Sequence, residues 1–270
     1  MIKEEFTVGV IISTYNNPAW LEKTLCGYVV QNRQADEIIV ADDGSTEQTA
    51  EVVASFEHLL PIKHVWQEDI GFRKNDILNK ALLAATSDYL IFTDQDCVPR
   101  RDFVESHCAN AKENYFLSGG MYYLTKEQSD SLSKDEIASN TIFDIKFIRK
   151  NGAKLSWRLL KLQKNHTFAK FLNFITPTNA SWNGCNASTW RKYALEIKGF
   201  DVRLRYGGED REFGERLFNK GVKSKQLRYS LAIVHLDHSR PYRNREDIEK
   251  NNQMRKVTRT KKIIETEFGI

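Results

Sequence analysis

Two places in this 270-residue chain put paired acids where apolar runs end: Tyr89 to Phe92 leads through Thr93 into Asp94-Gln95-Asp96, and Ile38 to Ala41 into Asp42-Asp43-Gly44. Asp94 and Asp96 stand two residues apart, so an extended chain points both to the same side. Two hard oxygen ligands on one side suit Mg²⁺ or Mn²⁺, which take carboxylates together with substrate phosphates and waters. An isolated Asp after an apolar run more often starts a turn. A second acidic run-end, at Asp43, favours a shared site instead.

Such a site needs strands that end together. The first half alternates short apolar runs with helical patterns, the signature of βαβ units around a parallel sheet. Val8 to Ile12 reads as a buried first strand, and Pro18 suits the first position of a helix capped by Asn17. Leu21, Leu25 and Tyr28 then share one face. Glu37 to Ala41 is a second strand, and Ser45 with Gln48 forms a capping box for a helix reaching about Phe56. Ile62 to Trp66 is a third strand, Lys74 to Ala85 an amphipathic helix, and Tyr89 to Phe92 the strand that leads to Asp94.

Further on, Ser118 to Leu124 and Ser230 to His235 read as strands, and Glu209 to Asn219 as a helix closed by Gly221. Amphipathic helices are expected between about Ser129 and Ile175, with Leu155, Leu159 and Leu162 on one face. In an open parallel sheet the ligand lies outside the carboxyl ends of the strands. Ser13-Thr14-Tyr15-Asn16, Asp42-Asp43-Gly44 and Asp94-Gln95-Asp96 should therefore converge.

Apolar residues at 41% and charged residues at 28% describe an ordinary globular protein. The surplus of 40 basic over 36 acidic residues is too small to imply nucleic acid. Cys26, Cys97, Cys108 and Cys185 show no metal-ligand spacing and read as reduced thiols of a cytoplasmic protein. No stretch approaches the roughly 18 apolar residues of a membrane span. Neither G-x-G-x-x-G nor G-x-x-x-x-G-K-[ST] occurs, so a bound nucleotide would need a metal and basic side chains for its phosphates.

The runs VIISTYNNPAWLEKTL, IIVADDGSTEQT, GFRKNDILNKAL and YLIFTDQDCVP, in that order, resemble the family-2 glycosyltransferases. The run NGCNASTWRKYALEIKGFDVRLRYGGEDREFGERL is similar to the galactosyltransferase-type C-terminal region of bacterial chain-extending enzymes and animal β-1,4-galactosyltransferases. The resemblance extends from about Val8 to Pro241. It implies an α/β protein of the GT-A fold, a Rossmann-like nucleotide-diphosphosugar transferase with a mostly parallel central sheet, helices on both faces and an added helical C-terminal portion. One domain is expected, with a nucleotide-sugar half to about residue 125, an acceptor and catalytic half to about 240, and a helical tail from 241 to 270.

Carried over by position, the resemblance makes Ser13, Tyr15 and Asp43 contacts of the uridine, with Asp43 accepting the uracil N–H. Arg73, Asn79 and Gln95 join them as nucleotide-sugar positions, and Asp94 faces the ribose. Asp96, last acid of the D-x-D motif, becomes the metal ligand. His238, in the late run Val234 to Arg240, completes it, with His235 at a second ligand position. An imidazole moves such a site from Mg²⁺ toward Mn²⁺. Gly207-Gly208-Glu209-Asp210 stands at the W-G-G-E-D motif, with Tyr206 in place of Trp, Asp210 matching the catalytic base and Glu209 beside it. Trp182, Asn183, Gly184 and Asn186 are expected to line the sugar pocket.

The implied activity is metal-dependent, inverting transfer of Gal, GalNAc, Glc or GlcNAc from a UDP-sugar to a glycan or lipid-linked glycan, in bacterial capsule, O-antigen or lipopolysaccharide assembly. The segment Ile145 to Leu195 holds no Asp or Glu while Lys and Arg recur, and residues 146–175 interleave these with aromatics. That would suit peripheral contact with anionic lipid, or a solvated helical cover over the acceptor side. The competing readings are a sugar nucleotidyltransferase, whose Gly-rich segment after the first strand is missing, and a catalytically silent nucleotide- or glycan-binding module. A nucleic-acid-binding reading would rest on the acid-free segment alone.

Overall fold

The computed structural model describes residues 5–239 and 243–270, so Arg240 and Pro241 of the late run lie outside the described residues. The chain begins with β1 (Val8–Thr14), α1 (Pro18–Val29), β2 (Glu37–Asp42), α2 (Glu47–Phe56), β3 (Ile62–Trp66), α3 (Lys74–Ala84) and β4 (Tyr89–Asp94). These strands pair in parallel in the order β3-β2-β1-β4, in a register that sets Ser13 beside Asp94 and Thr14 beside Asp42. The strands read as continuous apolar runs because both faces are covered. Val10 and Ile12 pack with Leu21, Leu25 and Val53 on one side, and Ile11 and Ile39 with Ile77 and Leu82 on the other.

The Asn17 side chain caps α1 by accepting from the Trp20 N–H. The capping box expected at Ser45 does not form: α2 starts at Glu47 after Thr46, with no side-chain cap. Ser45 belongs to the preceding loop, where its N–H donates to Asp42 and its hydroxyl accepts from the Asn16 N–H.

Next come β5 (Cys97–Pro99), α4 (Phe103–Asn110) and β6 (Tyr115–Tyr123). The helices expected between Ser129 and Ile175 are short pieces: α5 (Lys126–Ser131), α6 (Lys134–Ala138), α7 (Ile145–Lys150) and α8 (His166–Ile175), with 3₁₀ turns at Thr141–Phe143 and Trp157–Leu162. Leu159 and Leu162 are buried, three residues apart as one 3₁₀ turn requires, whereas Leu155 precedes that turn and is 79% exposed. The remainder is β7 (Ala187–Trp190), α9 (Arg191–Glu196), α10 (Glu209–Asn219), β8 (Lys223–His235) and α11 (Arg245–Thr260).

The sheet continues past β4 as β7-β6-β8-β5, with β7 antiparallel to β4 and β6, and β5 antiparallel to β8. Strands β6 and β8 run parallel but change register, Gly119 facing Leu227 and Gly120 facing Ala232, so Arg228 to Leu231 bulge out of the ladder. The bulge is clamped by hydrogen bonds. The Asn186 amide donates to Gly120 O and Leu231 O, both at 2.9 Å, Gln163 donates to Tyr229 O, and Asn173 accepts from the Tyr229 N–H.

A buried ion pair fixes α10. Arg216, 0% exposed, donates to Glu212 at 2.9 Å and to the carbonyls of Ile197 and Gly199, while Thr258 of α11 donates to Glu212. Arg216→Ala strands a buried carboxylate and two carbonyls, and should lower stability in urea unfolding by about 3–5 kcal/mol. Replacing both partners, as Arg216→Met with Glu212→Leu, should cost far less.

Candidate active site

The carboxyl ends of β1, β2 and β4 open on a cavity of about 620 Å³ lined by Ser13, Tyr15, Asp43, Asp94, Gln95, Asp96, Asn183, Tyr206, Glu209, Asp210, His235 and His238. Asp43 accepts from the Gln67 amide and, at 2.8 Å, from the Arg73 backbone N–H. Burial still pushes its carboxyl up. Tyr15, 42% exposed, donates to Asp69, and Gln95 ties to Thr14 and to Tyr15 O. Asp94 accepts from the Ser13 hydroxyl and from Lys74 Nζ, the latter at 2.8 Å.

Asp96 sits in the turn between β4 and β5. Pairing of β5 with β8 sets Cys97 opposite His235 and ties the Leu236 N–H to Asp96 O, so the late histidines arrive at the D-x-D turn. Asp96 Oδ2 lies 2.7 Å from His238 Nε2 and 3.6 Å from His235 Nε2. Each Nδ1 contacts a carbonyl, Ser239 O for His238 and Leu236 O for His235, which assigns the proton to Nδ1. With Nδ1–H committed, Nε2 can face a carboxylate only as imidazolium or as a fellow ligand of a cation.

Asp96, Cys97 and His235 bring potential ligand atoms within 4.8 Å of one another. Burial pushes the Cys97 thiol well up, so it stays protonated and donates to Asp96 Oδ1 at 3.1 Å. A carboxylate with two oriented imidazoles fits a divalent ion such as Mn²⁺. Burial alone would raise Asp96, but the imidazoles and the thiol hold it low.

Glu209 and Asp210 open α10. Gly207 and Gly208 before them have φ of +108° and +103°, the left-handed region that glycine adopts without strain. The Gly207 N–H donates to Glu209 Oε2 at 2.7 Å. A side chain at Gly184 would fall on the Asp210 carboxylate, so that glycine lets the backbone approach it. Asp210 Oδ1 is buried without a hydrogen-bond partner. Burial raises Asp210, and burial together with the Asp210 charge raises Glu209 to about 7, with Lys74 opposing both.

Lys74, which sequence reasoning passed over, is the cation of this site. Burial alone would favour its neutral amine, yet Asp94, Asp210 and Glu209 hold its pKa well above the usual lysine range. It opens α3, where the helix dipole disfavours a cation, so the three carboxylates account for its presence. Its signal was adjacency to Arg73 in GFRKND.

Several expected positions are occupied otherwise. The Arg73 guanidinium pairs with Asp76 at 3.2 Å, and the residue serves Asp43 through its backbone. Asn79 is buried, its amide exchanging hydrogen bonds with Phe200 N and O, so it does not reach the cavity. Asn186 is 0% exposed and spent on the bulge. Trp182 is 1% exposed, its indole packed on Phe92, Phe116 and Phe213, and offers no face for a sugar to stack on.

A second cavity, of about 800 Å³, lies beyond α10, and Met121, Tyr123, Asn183, Tyr206, Glu209 and Asp210 line both. The acid pair therefore stands where the two cavities meet.

The four-stranded parallel half with an acid-lined cleft at its strand ends agrees with the GT-A fold implied by the sequence resemblance. Residues 9–180 match glycosyl transferase family 2, and the chain belongs to that family. It is 38% identical over 243 residues to validoxylamine A glucosyltransferase of Streptomyces hygroscopicus subsp. jinggangensis, covering 84% of this chain and 54% of that one. It is 31% identical over 238 residues to chondroitin synthase of Escherichia coli, covering 83% of this chain and 34% of that one. The chain thus spans only a third to a half of the length of these relatives. The fold matches that of Mycobacterium tuberculosis glucosyl-3-phosphoglycerate synthase, solved with Mn²⁺, UDP and glucosyl-3-phosphoglycerate, at a TM-score of 0.57 and 17% identity over 99% of this chain and 84% of that one.

Lys74 should control the titration of the acid pair. In Lys74→Met, carboxyl-carbon NMR should show the Glu209 and Asp210 titration moved to higher pH by about 1 to 3 pH units, because the opposing positive charge is gone.

Proposed function

We propose that the chain transfers a hexose or N-acetylhexosamine (Gal, GalNAc, Glc or GlcNAc) from a UDP-sugar to a glycan or lipid-linked glycan, with inversion at the anomeric carbon. The observation that carries the reading is the position of Asp210, at the junction of a donor-sized cleft and a second cavity, with one oxygen lacking a partner. The UDP and Mn²⁺ of the mycobacterial neighbour and the polysaccharide product implied by the name of the chondroitin synthase support it. Residues Asn183 to Leu217 lie beyond the matched 9–180, and it is the resemblance of that run to a galactosyltransferase-type region that favours Asp210 as the base.

Asp43 would accept the uracil N–H, with Tyr15 and Ser13 beside the uridine and Asp94 toward the ribose. Asp96, His238 and His235 would hold the metal. When bound, Mn²⁺ supplies positive charge for the departing diphosphate. The acceptor hydroxyl enters from the second cavity and gives its proton to the Asp210 carboxylate as its oxygen bonds to the anomeric carbon. The diphosphate leaves from the opposite face, taking the bonding electron pair. A raised carboxyl pKa makes Asp210 the stronger proton acceptor, while the Lys74 charge favours its ionised form. Asp210→Asn should cut UDP release with Mn²⁺ and mixed acceptors by about 10²- to 10⁴-fold while UDP binding is retained.

A peripheral membrane contact is favoured by one face of α8. Phe168, Phe171, Phe174 and Ile175 are 41%, 55%, 89% and 51% exposed, while Ala169 and Leu172 pack on Tyr229. Lys164 and Lys170 flank that face, and among the described residues no helix is long and apolar enough to cross a membrane. Phosphatidylglycerol vesicles should sediment the protein and phosphatidylcholine vesicles should not. Phe171→Ser with Phe174→Ser should weaken the binding about tenfold or more.

A further inference from the structure

We propose that the acceptor is an acidic glycan whose anionic group is held in the second cavity by Arg158, Lys161, Arg211 and Arg228. This rests on the transferase reading and names the substrate class of the same site. The four cations reach one cavity from three parts of the fold: the 3₁₀ turn Trp157–Leu162, the first turn of α10 and the bulge of β8. Among the described residues none of them pairs with a carboxylate, in contrast to the neighbouring Arg255 and Arg259, which share Glu215 at 2.7 Å. The only carboxylates among the cavity's described lining residues are Glu209 and Asp210, which already surround Lys74 on the donor side.

Packing like charges together is unfavourable unless a ligand neutralises them. Lys161 carries the mark of that crowding: burial and the charges of Arg228 and Arg158 pull its pKa down to about 8. Arg211 sits in the first turn of a helix, where the dipole disfavours a cation. Gln226, which also lines the cavity, has both amide atoms buried without a hydrogen-bond partner. A buried amide without partners is costly. The cavity's about 800 Å³ admits more than one sugar ring, so the anion can lie on the unit next to the attacking hydroxyl, clear of Asp210.

Three probes separate the possibilities: a glucuronosyl disaccharide, its neutral glucosyl counterpart, and the 6-phosphate of that counterpart. Calorimetric titration of the parent protein with Mn²⁺ and UDP should show at least one acidic probe bound about tenfold or more tighter than the neutral one, with the difference shrinking as salt rises. Which acidic probe binds better distinguishes a carboxylate from a phosphate source. Arg158→Gln with Arg228→Gln should abolish the preference, with UDP titration reporting that the donor site is still folded. Equal binding of acidic and neutral probes, or a preference that survives in the double variant, overturns the proposal. Acid-selective binding without UDP release from any UDP-sugar would count against the transferase reading alone.

Discussion

The site is organised around one half-buried cation, Lys74. Asp94 ends a strand of the parallel half, whereas Glu209 and Asp210 open a helix much later in the chain, and the carboxylates brought together there repel one another, which with burial raises Glu209 and Asp210. Lys74 makes the assembly tolerable. It holds Asp94 in a direct ion pair and lowers the protonation tendency of the other two. The joining of the parallel half to the later part of the chain is therefore an electrostatic event as much as a packing one, and removing the amine would trouble both together.

Much of the fold was legible because its local signals agree with its global arrangement. The doubly covered strands of the first half, the Asn17 cap, and the helix that begins at Glu209 follow from apolar runs, cap chemistry and glycine placement. Segment 126–175 was harder, since its apolar residues serve short turns whose three-residue repeat mimics a fragment of helical period. Strand β5 has only three residues, too few to leave a pattern, yet its pairing with β8 carries the histidines to Asp96.

Site residues divided along a physical line. Asp43, Asp94 and Asp96 at the strand ends face the cleft, whereas Asp42 turns away to His64 and the Ser45 N–H. Polar side chains away from those ends could serve either the ligand or the backbone, and spacing does not distinguish the two. Asn79 and Asn186 serve the backbone, as buried amides commonly do where carbonyls and N–H groups lack ladder partners. Arg73 and Lys74 are neighbours with exchanged roles: the first turns outward to Asp76, while the second is drawn inward by acids that only the tertiary fold supplies.

The bulge in β8 separates two duties of a single strand. Before it, Gln226 lies in the second cavity; Arg228 belongs to the bulge itself; after it, the ladder with β6 resumes at Ala232 and runs in step to His235. A substitution at Arg228 leaves the ladder from Ala232 onward, and His235 opposite Cys97, in place. The fold can therefore vary the lining of the second cavity while the His235 end keeps its register, so that one cavity can change without rebuilding the cleft at the strand ends.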